Sequence, residues 1–214
     1  FMIPDIIYVL ENTGFDPSWR YFLNVVNGTD LKFGRDIYFT YGPLGYLFYL
    51  MKLPGNTIEY WSGIVIWGII FLFHLWMLLQ LYRLYQKGKI HFWAITASVC
   101  CYLAGYYAPT RDNYLLYLMI LAVVLWAKGA KNIVLIPNLL LLLMFFGKFS
   151  TFTSGFAFCI LFCIFDVLFR KNWKSIWLFL PGIILMPVCY LVYCPSIKNL
   201  FEYVAGILKI SSGW

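Results

Sequence analysis

From residue 59 onward, the chain alternates between long apolar runs and short loops that carry most of its Lys and Arg. Such runs predict helices that cross or enter a bilayer, because ~20 apolar residues rising ~1.5 Å each span a hydrocarbon core of ~30 Å. The pattern therefore predicts about six transmembrane helices. They are Glu59–Tyr82, Phe92–Ala108, Tyr114–Ala127, Asn132–Phe146, Thr151–Phe169 and Ser175–Cys194.

Two of these runs are short. As α-helices, Tyr114–Ala127 and Asn132–Phe146 would extend only ~21–23 Å, so their outer ends should stop below the membrane surface. Arg111, Asp112 and Lys148 adjoin those ends and would lie partly inside the membrane. Charge at that depth is costly unless it faces a wet cavity or a charged ligand. The pattern thus favours a polar cavity that opens on one face of the bundle.

The chain before residue 59 and after residue 194 has a different pattern. Asp16 and Pro17 are typical of a helix N-cap and first helical position, and an amphipathic helix follows over Trp19–Val26. After Pro195, a second apolar stripe recurs at helical spacing: Ile197, Leu200, Phe201, Val204 and Leu208. The predicted organisation is an external loop with an interfacial helix (1–58), the helical bundle (59–194) and an external amphipathic segment (195–214).

Composition agrees with a membrane protein. Hydrophobic residues make up 63% of the chain and charged residues only 12%, too few charges to cover a water-facing surface. The predicted fold class is therefore all-α, a polytopic transmembrane helical bundle.

The net charge of +7 is distributed unevenly, and this predicts orientation. Lys and Arg near span ends collect on the cytoplasmic side. The loops expected there carry Arg83, Lys87, Lys89, Lys128, Lys131, Arg170, Lys171 and Lys174. Nearly all acidic residues fall on the other side, so the N-terminal loop and the C-terminus are expected to be extracytoplasmic. The positive charge then indicates topology and contact with anionic lipids. The sequence has no basic stripe that would indicate nucleic-acid binding.

The six cysteines lack the spacing of a zinc site or disulfide framework, so we interpret them as small packing residues. Phe1–Leu10 is interrupted by Pro4 and Asp5 and is too short to cross a membrane. The abrupt C-terminal sequence Ile210–Trp214 resembles the middle of a loop. We expect the chain to be a piece of a larger protein with further spans on both sides.

Three motifs in the first fifty residues carry a family resemblance: Asp16-Pro17-Ser18-Trp19, Phe33-Gly34-Arg35-Asp36, and Phe39-Thr40-Tyr41-Gly42-Pro43-Leu44-Gly45. They resemble the first extracytoplasmic loop of the GT-C glycosyltransferases, such as protein mannosyltransferases and lipid A aminoarabinose transferases. In those enzymes an acidic residue, an interfacial helix and a Pro-Pro-Leu-like turn follow the first span. The motifs are still more similar to a little-characterised bacterial membrane family usually grouped with them. Here glycine replaces the first proline, and no acid directly follows Asp16.

The resemblance implies an enzyme of the bacterial inner membrane that moves a sugar from a polyprenyl-phosphate donor to a lipid, glycan or protein acceptor. Such transfer needs a carboxylate to accept the acceptor proton and cations to stabilise the leaving phosphate. Asp16 is the candidate base, and Asp36 is a second carboxylate that orients the acceptor or helps to hold a divalent metal ion. The candidate substrate-binding residues are Arg35, Tyr41, Arg111, Asp112 and Lys148.

Each candidate also has a structural interpretation. Asp16 is well placed as a helix cap alone, and Arg35 with Asp36 as a solvated loop pair. Arg111 with Asp112 fits a second loop pair, and Lys148 a side chain that snorkels from a span end.

Two other function classes stay open. A transporter or flippase fragment would line a translocation path with Arg111, Asp112 and Lys148, and it predicts paired repeats, which the sequence lacks. A non-catalytic assembly subunit would bind a partner through its aromatic loop and tolerate Asp16→Asn and Asp36→Asn.

Overall fold

The computed structural model describes residues 15–107, 111–194 and 196–211, and the regular structure in these ranges is helical. Apart from helices it contains isolated β-bridges rather than strands, which confirms the all-α class. The helices are α1 (Phe15–Val25), α2 (Thr57–Gln86), α3 (Phe92–Tyr107), α4 (Arg111–Ala127), α5 (Leu135–Gly147), α6 (Phe149–Arg170), α7 (Leu180–Tyr193) and α8 (Ile197–Ser211).

Helices form at all six predicted spans, but their lengths differ. Three helical stretches among the described residues are long and apolar enough to cross a membrane, as expected of an integral membrane protein: Thr57–Gln86, Phe149–Arg170 and Trp173–Tyr193. Helices α3, α4 and α5 have 16, 17 and 13 residues. The structure thus supports three full-length spans, and the prediction of six is confirmed only as six helical segments.

The start of α1 differs slightly from the prediction. Asp16 was expected to precede the helix as its N-cap, but α1 begins at Phe15 and Asp16 lies within it. Pro17 is then in the first turn, where its missing N–H leaves no helical hydrogen bond unmade. The side chains of Asp16 and Asp112 lie outside the described part of the structure.

The chain divides into two compact units. The first consists of Phe1–Gly68, Phe145–Phe149 and Met186–Trp214, and the second of Ile69–Met144 and Ser150–Leu185. The first unit therefore joins the N-terminal loop to the α5–α6 junction and to the segment from the end of α7 through α8. These are the segments that the sequence places on one side of the membrane.

Two buried asparagines hold the N-terminal loop of the first unit to α1. The Asn24 amide nitrogen donates to the carbonyl of Tyr49 at 2.7 Å, and its oxygen accepts from the Met51 amide at 3.0 Å. Asn56 donates to the Met51 carbonyl at 2.9 Å and accepts from the Leu53 amide at 2.9 Å. The loop is therefore ordered by side-chain hydrogen bonds where helical ones are missing.

Helix α8 has two apolar faces. Leu200, Tyr203 and Ile207 are buried, whereas Phe201 and Leu208 from the predicted stripe are exposed. The predicted stripe thus mixes the packed face with an outer one. The predicted stripe left out Tyr203 and Ile207, which together with Leu200 form the packed face.

The second unit is joined internally by buried polar side chains. His74 Nδ1 lies 2.6 Å from the hydroxyl of Tyr114, linking α2 to α4. Near the end of α6, the buried carboxylate of Asp166 accepts from Asn172 at 2.7 Å and pairs with Arg170 at 3.5 Å. Polar residues within these apolar helices therefore serve helix packing and turn formation.

Candidate functional site

The loop of residues 39–45, the third of the three motifs, packs on the junction between α5 and α6. The Gly42 amide donates to the Gly147 carbonyl at 3.1 Å, the Leu44 amide to the Phe146 carbonyl at 2.8 Å, and the Phe149 amide to the Thr40 carbonyl at 2.9 Å. These three hydrogen bonds fix the turn, and they set Tyr41 opposite Lys148 in an isolated antiparallel bridge.

Glycine at position 42 has a local explanation. A Cβ atom there would lie 2.6 Å from the Phe146 carbonyl oxygen, and proline would in addition lack the N–H that bonds to Gly147. The close packing of the loop on the helix junction therefore explains why this chain has glycine, and not proline, at position 42.

The bridge brings together two of the predicted site residues. Lys148 Nζ lies 5.3 Å from the centre of the buried Tyr41 ring, within the range of a cation–π contact. The Tyr41 and Tyr49 hydroxyls are 3.3 Å apart, and the Trp19 ring stacks on Tyr41 with ring centroids 4.9 Å apart. We call Trp19, Phe39, Tyr41 and Tyr49 the aromatic cluster.

A second cation, Arg20, contacts the same cluster. Its guanidinium carbon lies 4.8 Å from the centre of the Tyr49 ring and 5.5 Å from that of Trp19. Its Nε–H is buried and donates no hydrogen bond within the described residues. Lys148 therefore lies on the Tyr41 ring and Arg20 on the Tyr49 ring. Two cations beside aromatic rings suit an anionic ligand that also has an apolar or ring-shaped portion.

Asp16 occupies a backbone position one helical turn before Arg20 on α1. The candidate base thus belongs to the same short helix as Trp19 and Arg20, although its side chain is outside the described structure.

Arg35 and Asp36 form the ion pair that the loop interpretation expects. Arg35 donates from Nη2 to Asp36 Oδ2 at 2.7 Å and from Nε to Oδ1 at 3.0 Å, and the Lys32 amide donates to Oδ2 at 2.9 Å. These hydrogen bonds, that of Arg35 first, lower the pKa of Asp36. The carboxylate is a weak base that organises the loop, which suits positioning better than proton transfer.

Of the other predicted residues, Arg111 begins α4 in the second unit and is half-buried, and the side chain of Asp112 lies outside the described residues. Among the residues that the structure describes, no group of three or more His, Cys, Asp or Glu side chains is arranged to hold a metal ion. The suggested role of Asp36 at a metal ion stays a prediction.

Two residues of the site, Arg20 and Tyr49, were not predicted from the sequence. Arg20 has a readable signal, since it follows Asp16 by four residues on a predicted helix and adjoins Trp19. Tyr49 has none, because its contact with α1 depends on the fold of the intervening loop.

Comparison with known proteins identifies no relative: no family model, no curated protein and no solved structure matches the chain. Functional assignment therefore depends on the geometry and on the loop motifs.

Proposed function

We propose that the chain is part of a GT-C-like membrane glycosyltransferase, which moves a sugar from a polyprenyl-phosphate donor to an acceptor on the extracytoplasmic face. The single observation that supports this most directly is the packing of the Phe39–Leu44 loop on the α5–α6 junction. That packing places Lys148 on Tyr41, in the aromatic cluster that also binds Arg20.

In this proposal the cluster receives the phosphate end of the donor. Lys148 and Arg20 stabilise the charge on the phosphate, which grows as the bond to the sugar breaks. Trp19 and Tyr41 offer ring faces for the sugar or the first isoprene unit. Cations that already lie against aromatic rings need little reorganisation when an anion arrives.

The proposed transfer step accounts for every bond, proton and electron pair. The acceptor hydroxyl attacks the anomeric carbon, its O–H proton passes to the Asp16 carboxylate, and the carbon–oxygen bond to phosphate breaks. Polyprenyl phosphate leaves with the bonding electron pair. Asp36, held by Arg35, keeps the turn of residues 32–37 in shape, and in this proposal it is available to orient the acceptor.

Release of polyprenyl phosphate from a panel of polyprenyl-phosphate sugars, in the presence of a mixed acceptor extract, tests this proposal. Lys148→Gln and Arg20→Gln should each lower the rate by about 100-fold, the usual cost of removing one group that stabilises developing negative charge. Lys52→Gln is the matched control, because Lys52 is exposed and outside the cluster. Release that is equally fast in all three variants would contradict the proposal.

Donor binding, measured beside release with the same panel, separates this proposal from its alternatives. A transporter fragment would bind the lipid-linked sugar without releasing polyprenyl phosphate, and Lys148→Gln would weaken binding alone. An assembly subunit would show neither release nor binding.

A further inference from the structure

The first unit contains a cavity that is lined by none of the four residues of the aromatic cluster. It has a volume of about 340 Å³ and lies between the N-terminal loop, the first turns of α2 and the last turn of α7. Its lining includes Lys32, Tyr46, Glu59 and Ser62 as polar members, and its apolar members include Ile58 and Val192. We call it the interfacial groove. The volume is within the range of about 300–1,000 Å³ that small-ligand sites occupy.

The groove is lined by one cation, Lys32, whose charge also acts on the Asp36 carboxylate, and by one anion, Glu59. Within the described part of the chain, neither Lys32 nor Glu59 forms a side-chain ion pair. Burial raises the pKa of the Tyr46 hydroxyl, and the nearby negative charge of Glu59 raises it further. The Tyr46 hydroxyl lies 3.2 Å from Ser62 Oγ. A ligand that carries both charges would satisfy both side chains.

Two of the lining residues are strongly exposed apolar side chains at span ends. Ile58 is 81% exposed and Val192 is 82% exposed, and they lie at the start of α2 and the end of α7. Both helices belong to stretches long enough to cross a membrane. An amphiphile whose head occupies the groove would therefore extend its apolar part over Ile58 and Val192.

We propose that the interfacial groove binds a zwitterionic phospholipid with a phosphoethanolamine-type head. The phosphate contacts Lys32, the ammonium contacts Glu59, and the acyl chains lie over Ile58 and Val192. Charge complementarity selects this ligand: Glu59 repels a purely anionic head, and the exposed apolar side chains give a free phosphate or soluble zwitterion little to bind. The four residues assigned to lipid binding, Lys32, Glu59, Ile58 and Val192, have no role in the transferase proposal, although Pro43 and Leu44 of the Phe39–Leu44 loop also line the groove.

Lipid binding by the purified chain tests the site without any measurement of activity. Short-chain phosphatidylethanolamine, short-chain phosphatidylglycerol and lipid-free phosphoethanolamine would be titrated in detergent and followed by native mass spectrometry. Wild type should prefer phosphatidylethanolamine over phosphatidylglycerol and bind free phosphoethanolamine weakly. Glu59→Gln should reduce the preference about threefold to tenfold, the scale of one ordinary hydrogen bond.

Lys32→Gln should weaken both phospholipids, and Val192→Asp should weaken them without affecting free phosphoethanolamine. Lys52→Gln and Glu202→Gln, on charged residues outside the groove, should change nothing. Equal binding of the two phospholipids by wild type, or an unchanged preference in Glu59→Gln, would overturn the proposal. Tight binding of free phosphoethanolamine would overturn the lipid assignment and identify a soluble zwitterion as the ligand.

Discussion

At the scale of single residues, two neighbouring tyrosines show how differently a buried hydroxyl can act. Tyr190 and Tyr203 are both buried in the first unit, with ring centroids 6.1 Å apart. The Tyr190 hydroxyl donates to the Phe33 carbonyl and lies 3.1 Å from the Asn199 carbonyl. The Tyr203 hydroxyl is buried without a hydrogen-bond partner among the described residues. The first hydroxyl therefore joins α7 to the loop, whereas the second carries a desolvation cost.

The two hydroxyls predict opposite responses to the same substitution. Tyr190→Phe should lower the free energy of unfolding by about 1–2 kcal/mol, and Tyr203→Phe should leave it unchanged or raise it by up to about 1 kcal/mol. Denaturation in detergent, followed by near-UV circular dichroism, measures both. Equal losses in the two variants would contradict the assigned hydrogen bonds.

The pH dependence offers a further readout for Tyr203. Burial raises its pKa above the ordinary 10.0, so the unfolded chain releases this proton first as pH rises. The contribution to stability is complete below about pH 10 and declines above it. Tyr203→Phe should therefore make the loss of stability above pH 10 shallower than in wild type.

Gly34 is a third residue whose substitution should have a large effect on stability. It has φ +83°, and a Cβ atom there would overlap the Asn199 carbonyl oxygen and the Tyr190 hydroxyl. Gly34→Ala should destabilise the protein by about 3 kcal/mol or more, since backbone strain adds to overpacking. Gly55→Ala is the matched control, because Gly55 has φ +89° with open space around it, and it should cost only about 1 kcal/mol. Similar losses in the two variants would argue against the close packing at Gly34.

At the scale of elements, one amide joins three helical segments of the second unit. The buried Asn138 on α5 donates to the Val134 carbonyl at 2.8 Å and to the Trp177 carbonyl at 2.9 Å. Its oxygen accepts from the Gly182 amide at 2.7 Å, where α7 begins. The amide thereby satisfies backbone groups that the break before α7 leaves outside helical hydrogen bonds.

Asn138→Leu should therefore lower the free energy of unfolding by about 1–3 kcal/mol, within the range measured for hydrogen bonds in membrane and soluble proteins. Asn132→Leu, at an exposed position before the same helix, should change it by less than about 0.5 kcal/mol. Thermal unfolding of the two variants in one detergent makes the comparison, and equal stability of both would contradict the joining role of Asn138.

Helices proved predictable where the apolar pattern was long. The spans around α2, α6 and α7 follow from long, mainly apolar runs, and α1 follows from Trp19, Phe22 and Leu23 at helical spacing. The loop between α1 and α2 was not predictable beyond its turns, because Asn24 and Asn56 act through contacts distant in sequence. For the same reason the sequence suggested Tyr41 and Lys148 separately, and their contact required the fold.

At the scale of the whole molecule, the sidedness of the loops is the main prediction that follows from charge. The loop of residues 87–89 and the loop of residues 128–131 should lie on the cytoplasmic side, opposite the N-terminal loop. Single substitutions Lys87→Cys and Asp30→Cys place a thiol at an exposed position in each region. A membrane-impermeant maleimide should label Asp30→Cys on intact spheroplasts and label Lys87→Cys only after permeabilisation. Unsubstituted protein corrects for the native cysteines, and labelling of both variants from one side would contradict the orientation.

The most direct test of the central claim is release of polyprenyl phosphate by the purified protein, compared between wild type and Asp16→Asn. The donors are polyprenyl-phosphate sugars, and circular dichroism confirms that the variant is folded. The account predicts release by wild type and a loss of about 100-fold or more in Asp16→Asn, because the acceptor proton then has no carboxylate to receive it. Release at the same rate by the folded variant, or binding of the donor with no release by wild type, would contradict transfer chemistry at this loop.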